Sequence, residues 1–109
     1  MATHIISFRI ESNPTSTARW ASLVAKIRAE SRGPSTWEET TSFFLIESDK
    51  SAADLALSLY IGSDFSGITD TLLVVDVTRN TYATQGKIDY PATLARFFPS
   101  NTLLQVLRG

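Results

Sequence analysis

The 109-residue chain contains no cysteine and only one histidine, His4. The first absence excludes disulfides, cysteine-ligated clusters and thiol catalysis. The second excludes a histidine-rich zinc site built from one chain. An excess of charge is missing too. Ten Lys plus Arg face eleven Asp plus Glu, and the net charge of −1 provides no overall attraction to nucleic acid or to an anionic membrane. No apolar run approaches the ~20 residues that span a bilayer. Residues 1–11 have neither the basic start nor the unbroken apolar stretch of a signal peptide. Repeats and low-complexity segments are absent. The expectation is one soluble, cytoplasmic domain over residues 1–109 with no membrane partner. The 43% apolar content is enough for a single core.

What is present reads as alternating strands and helices. Residues 3–11 alternate with period two, His4, Ile6, Phe8 and Ile10 on one face, Ile5, Ser7, Arg9 and Glu11 on the other, which predicts a half-buried strand. Asn13-Pro14 offers an N-cap and a first-turn proline. Trp20, Leu23, Val24 and Ile27 then recur at helical spacing, with Arg19, Ser22, Lys26 and Glu30 opposite. Gly33-Pro34 is expected to end this helix, with Gly33 in the left-handed conformation. The chain is organised around residues 35–48 (Ser-Thr-Trp-Glu-Glu-Thr-Thr-Ser-Phe-Phe-Leu-Ile-Glu-Ser). This stretch reads as a short polar strand turning near residues 38–41 into an apolar one, Phe43 to Ile46. Ser48 or Ser51 is expected to cap a second helix, Ser51 having an acid, Asp54, three residues later in a weaker relative of the capping box. The buried stripe of this helix is Ala52, Leu55, Ala56 and Leu59. Phe65 and Ile68 are expected to anchor the following loop. Residues 71–78 form the clearest strand, Leu73, Val75 and Val77 on one face, Leu72, Val74, Asp76 and Thr78 on the other. Residues 79–87 read as a polar turn, 91–98 as a short helix opened by Pro91, and 102–107 as a last strand.

The order strand, helix, two hairpin strands, helix, strand is the α+β, ferredoxin-like β-α-β-β-α-β pattern with an antiparallel sheet, extended by a C-terminal short helix and an extra strand. A single long strand over residues 37–48 would instead give a parallel α/β arrangement. Two helices cover only one face of such a sheet. Leu72, Val74 and Ile5 are expected on the other, with Phe43 and Leu45 or Phe44 and Ile46 beside them. A patch of about 500 Å² would gain on the order of 12 kcal/mol on burial, before association costs. Either the chain's own tail covers it, or a second copy does, with residues 88–109 contributing to dimerisation. The expected homodimer interface comprises Leu72, Val74, Leu104 and Val106.

His-Ile-Ile-Ser-Phe-Arg-Ile in the first strand, residues 35–48, Ser51-Ala-Ala-Asp54, and Asp70-Thr-Leu-Leu-Val-Val-Asp76 together resemble the small ferredoxin-like proteins of the Cas2-like family, in particular its SinR-like branch. The resemblance covers roughly residues 3–86. It implies a homodimer whose terminal strand completes the partner's sheet, with either a structural role or metal-dependent cleavage of RNA or DNA through a first-strand aspartate. Arg9 stands where that aspartate would align, and a cation cannot be a Mg²⁺ or Mn²⁺ ligand.

The remaining catalytic candidates are the carboxylates Asp76, Glu11 and Asp70, which would have to converge at a dimer axis. Asp76 interrupts an apolar strand, and the plainer expectation puts it at the sheet rim or has it accept a hydrogen bond across the dimer interface. Centring the first strand on the fourth places Arg9 near Leu72 and Asp76 near Ile5, so Arg9 is expected to reach Asp70 or Glu11. Arg9, Arg79, Asn80 and Tyr82 are the candidates for contact with a nucleic-acid backbone; the plainer reading of the last three is a solvated loop. His4 has no base-orienting neighbour in sequence. The reading is a non-catalytic homodimeric structural or regulatory protein with neither metal nor cofactor. The alternatives are a metal-dependent endonuclease and a toxin or phage-type effector that binds a host protein.

Overall fold

A computed structural model describes residues 1–33 and 35–99. It contains β1 (Ala2–Arg9), α1 (Ser16–Glu30), β2 (Trp37–Thr40), β3 (Phe43–Ser48), α2 (Ala52–Ile61), β4 (Thr71–Asp76), β5 (Thr81–Gly86) and α3 (Pro91–Ala95). The five strands form one sheet in the order β2-β3-β1-β4-β5, and every pairing is antiparallel. This is an α+β, broadly ferredoxin-like fold with additional C-terminal elements. The parallel alternative fails because residues 41–42 make a tight hairpin between β2 and β3.

One face of the sheet carries Ile6, Phe8, Phe44, Ile46, Leu72 and Val74. These pack against Leu23, Val24 and Ile27 of α1 and Leu55, Ala56 and Leu59 of α2 as a single core. The Ser51 hydroxyl caps α2 by accepting the Asp54 N–H at 3.1 Å, as the serine–acid spacing predicts. The start of α1 differs from expectation. Its N-cap is Thr15, while the Asn13 side chain closes a turn just before it, accepting the Thr15 N–H at 3.0 Å. The helix ends in an extended Ser31, with no left-handed glycine at residue 33.

The placement of Leu72 and Val74 needs correction. Both are fully buried beneath the helices, because β1 and β4 pair Ile6 with Val74 and Phe8 with Leu72. Residues directly opposite in a ladder share a face, so β4 must follow β1, whose even positions point inward. Leu73 and Val75 therefore occupy the helix-free face. Leu104 and Val106, and the expected strand over 102–107, lie outside the described residues.

Residues 79–87 form more than a turn. Asn80, in the left-handed conformation (φ 57°), closes a hairpin that sends β5 back along β4. β5 ends at Gly86, whose φ of 89° is one that only glycine adopts readily. A Cβ there would collide with the Asp70 carbonyl oxygen, the same oxygen that accepts the Lys87 N–H at 2.8 Å. Phe65 anchors the loop before β4 as expected, whereas Ile68 is 85% exposed.

Candidate functional site

Three places in this fold concentrate polar chemistry or unspent apolar surface. The first is Asp70, fully buried at the start of β4. One carboxylate oxygen accepts the Glu11 N–H at 2.9 Å and Arg19 Nη2–H at 3.2 Å. The other accepts the Ser66 N–H at 2.9 Å and Arg19 Nε–H at 3.1 Å. Arg19 is itself buried and also donates to the Glu11 carbonyl at 2.8 Å. Burial pushes the Asp70 carboxyl upward, but the hydrogen bonds from Arg19, Ser66 and Glu11 prevail and hold it below the usual aspartate value. Arg9 does not reach Asp70, as the centred register suggested it would. That place belongs to Arg19, which arrives from a helix read as exposing it.

A second buried carboxylate, Asp76, terminates β4. Its Oδ1 accepts the Thr78 and Arg79 N–H groups at 3.0 and 2.9 Å, capping the β4–β5 turn, and its Oδ2 accepts Arg79 Nη1–H at 2.8 Å. It pairs across the ladder with His4, one residue away from the position that centring implied. His4 is fully buried and its Nδ1 lies 3.1 Å from the Ala2 carbonyl. Its Nε2 stands 3.7 Å from Asp76 Oδ2, beyond hydrogen-bonding distance, and has no partner among the described residues.

The three carboxylates proposed for catalysis are not brought together within one chain. Asp70 and Asp76 bracket β4, six residues apart and thus about 20 Å along an extended strand. Glu11 meets Asp70 through its main-chain N–H while its side chain is exposed. Among the described residues no group of three or more His, Cys, Asp or Glu could hold a metal ion. Of the backbone-contact candidates, Arg79 is engaged with Asp76, Asn80 is the exposed turn residue, and the Tyr82 ring lies 4.6 Å from that of Phe98. Arg9 is exposed and makes no ion pair among the described residues.

The third place is the helix-free face. The registers align Trp37, Leu45, Ile5, Val75 and Tyr82 in one row across all five strands. Phe43 adjoins this row, with its ring in edge contact with that of Trp37 at 5.9 Å. Phe98 covers the Tyr82 end, so the tail reaches over part of the face. Trp37 at the other end remains 42% exposed, and Ile5, Leu45 and Val75 are half-buried. Alternation within each strand showed that such a face must exist; only the pairing register shows which residues form it.

The chain matches no protein-family model, no curated protein and no solved structure. No helix among the described residues is long and apolar enough to cross a membrane.

Proposed function

We propose that this chain is a non-catalytic structural or regulatory protein that acts as a homodimer, two copies packing through the helix-free faces of their sheets, as its Cas2-like resemblance implies. The observation that supports this is the row Trp37, Leu45, Ile5, Val75 and Tyr82, whose Tyr82 end is covered by Phe98 and whose Trp37 end is left exposed by the described residues. A contiguous apolar strip of this kind favours association, and a two-fold pairing is the commonest closed arrangement. The residues of the interface are then Ile5, Leu45, Val75 and Trp37, in place of Leu72 and Val74. A metal-dependent nuclease would require Asp70 and Asp76 to give up the donors that now occupy both of their oxygens.

The test is solution mass by light scattering. The wild-type chain is expected at twice its 12.0 kDa, and Ile5→Lys and Val75→Lys at one chain mass with unchanged circular dichroism. A wild-type chain that stays monomeric at about 0.1 mM, a Kd too weak for a stable dimer, refutes the proposal.

A further inference from the structure

Where α3 meets the sheet face opposite α1 and α2, it leaves a cavity of about 410 Å³ against the ends of β1, β4 and β5. This is within the size range of small-molecule sites. Its floor follows the sheet register. Ser7, Leu73 and Thr84 form one row, and Arg9, Thr71 and Gly86 the next, with Lys87 directly after Gly86. Leu94 and Tyr90 from the α3 segment supply the roof. The cavity is therefore apolar and hydroxyl-lined at one end and cationic at the other.

The two cations are unspent. Neither Arg9 nor Lys87 makes a side-chain hydrogen bond or ion pair among the described residues, and both are exposed at the cavity. The buried and half-buried cations, Arg19, Lys26 and Lys50, each have a carboxylate partner. Asp89 also lines the cavity but bonds to neither cation, which leaves the rim with one net positive charge. The Ser7 and Thr84 hydroxyls, on either side of Leu73, likewise have no partner among the described residues, whereas the Thr71 hydroxyl is committed to the Lys87 carbonyl at 2.7 Å.

We infer that this cavity binds a small amphipathic carboxylate, its anionic end between Arg9 and Lys87 and its apolar body over Leu73 beneath Leu94 and Tyr90. A carboxylate suits the pair because it can accept from a guanidinium and an ammonium together. The apolar floor selects against small inorganic anions. The site lies on the same sheet face as the proposed dimer contact but does not rest on that proposal, since every residue it uses comes from one chain.

The experiment is a ¹⁵N-resolved NMR titration of the full chain with sodium octanoate, and with octanamide as its uncharged counterpart. Chain mass is measured in the same samples, so that a failure of dimerisation is scored separately. Octanoate is expected to give saturable shifts centred on Ser7, Arg9, Leu73, Thr84 and Lys87. Arg9→Gln and Lys87→Gln should each weaken it about tenfold, the effect of losing one charge-assisted hydrogen bond, and octanamide should bind at least as weakly as octanoate does to those variants. Arg32→Gln, which removes an exposed cation elsewhere, should change nothing. Arg9 and Lys87 have no side-chain partners to lose among the described residues, so their variants are expected to fold as the parent does. The inference is overturned if octanoate fails to saturate by about 10 mM, which is weaker than any useful affinity. It is equally overturned if octanamide binds as well as octanoate while both glutamine variants leave octanoate binding unchanged.

Discussion

Replacing Arg19 with methionine removes the guanidinium that supplies two of the donors around Asp70 but keeps most of the side chain's apolar length. The carboxylate remains fully buried and keeps the Ser66 and Glu11 N–H groups, at 2.9 Å each, with the Thr69 hydroxyl at 3.2 Å. Breaking one side of a buried pair typically costs about 3–5 kcal/mol. The remaining donors place this case near the lower end, about 3 kcal/mol. That is a large part of the roughly 5–15 kcal/mol that holds a domain folded, and it should lower Tm by on the order of 10–20 °C. Urea unfolding at pH 7, followed by the fluorescence of Trp20 and Trp37, measures it directly. Asp70→Asn and the double variant complete a cycle, whose coupling should be about 2 kcal/mol because the double variant no longer strands a charge. The pair also has a pH signature. The Asp70 carboxyl is lowered in the fold from its ordinary value of 3.8. Its contribution is therefore complete above that value and is lost as pH falls through the folded value. Arg19→Met costing under about 1 kcal/mol, or single changes that simply add, would refute this account of the site.

Two further outcomes follow from the packing. The Glu30 carboxyl is raised by burial, but hydrogen bonds from Lys50, Ser58 and Lys26 outweigh this and lower it from 4.5 to about 2. It should therefore contribute at most about 3 kcal/mol above pH 4.5, lost progressively as pH falls toward 2. Acid titration of wild type beside Glu30→Gln checks this, since the variant should lose that portion of the slope. Leu72→Ala should cost about 2–5 kcal/mol, as expected for a fully buried leucine, while Leu73→Ala, at a half-buried position, should cost under about 1.5 kcal/mol. Equal losses in a denaturant series would contradict the orientation of β4.

The order of elements up to β4 was legible because each carries its own periodicity. The Ser51 cap, the apolar stripe of α2 and the strand at 71–76 are local signals, and local signals survive in sequence. The features that were misread depend on partners distant in the chain. Arg19 and Glu30 lie at the two ends of the same inward stripe as Leu23 and Ile27. A charge on that stripe reads as solvent-facing until Asp70, Lys50 and Ser58 are seen to meet it. β5 was missed because Thr81–Gly86 is mostly polar and ends in glycine; its strand character comes from pairing with β4 rather than from its own composition. The orientation of β4 was lost for a similar reason. Both of its faces are apolar, so alternation cannot say which one meets the helices, and a one-residue change in register exchanges them. For the open face, parity within single strands named Ile5 correctly and Leu72 and Val74 wrongly. The cavity beside Arg9 depends on α3 crossing the sheet, and no local pattern announces that.

The central strand of the sheet is β1, and one of its two neighbours is β4, so that His4 finds its place beside Asp76. The middle of the sheet therefore cannot close until most of the polypeptide is at hand, and closing it spans a long loop of chain. A fragment that stops short of Thr71 leaves Ile6 and Phe8 with one ladder instead of two and exposes an apolar strand edge of the kind that aggregates. The molecule should accordingly assemble in one cooperative step, with few stable halfway forms, and it should tolerate shortening near residue 90 far better than any break between β1 and β4.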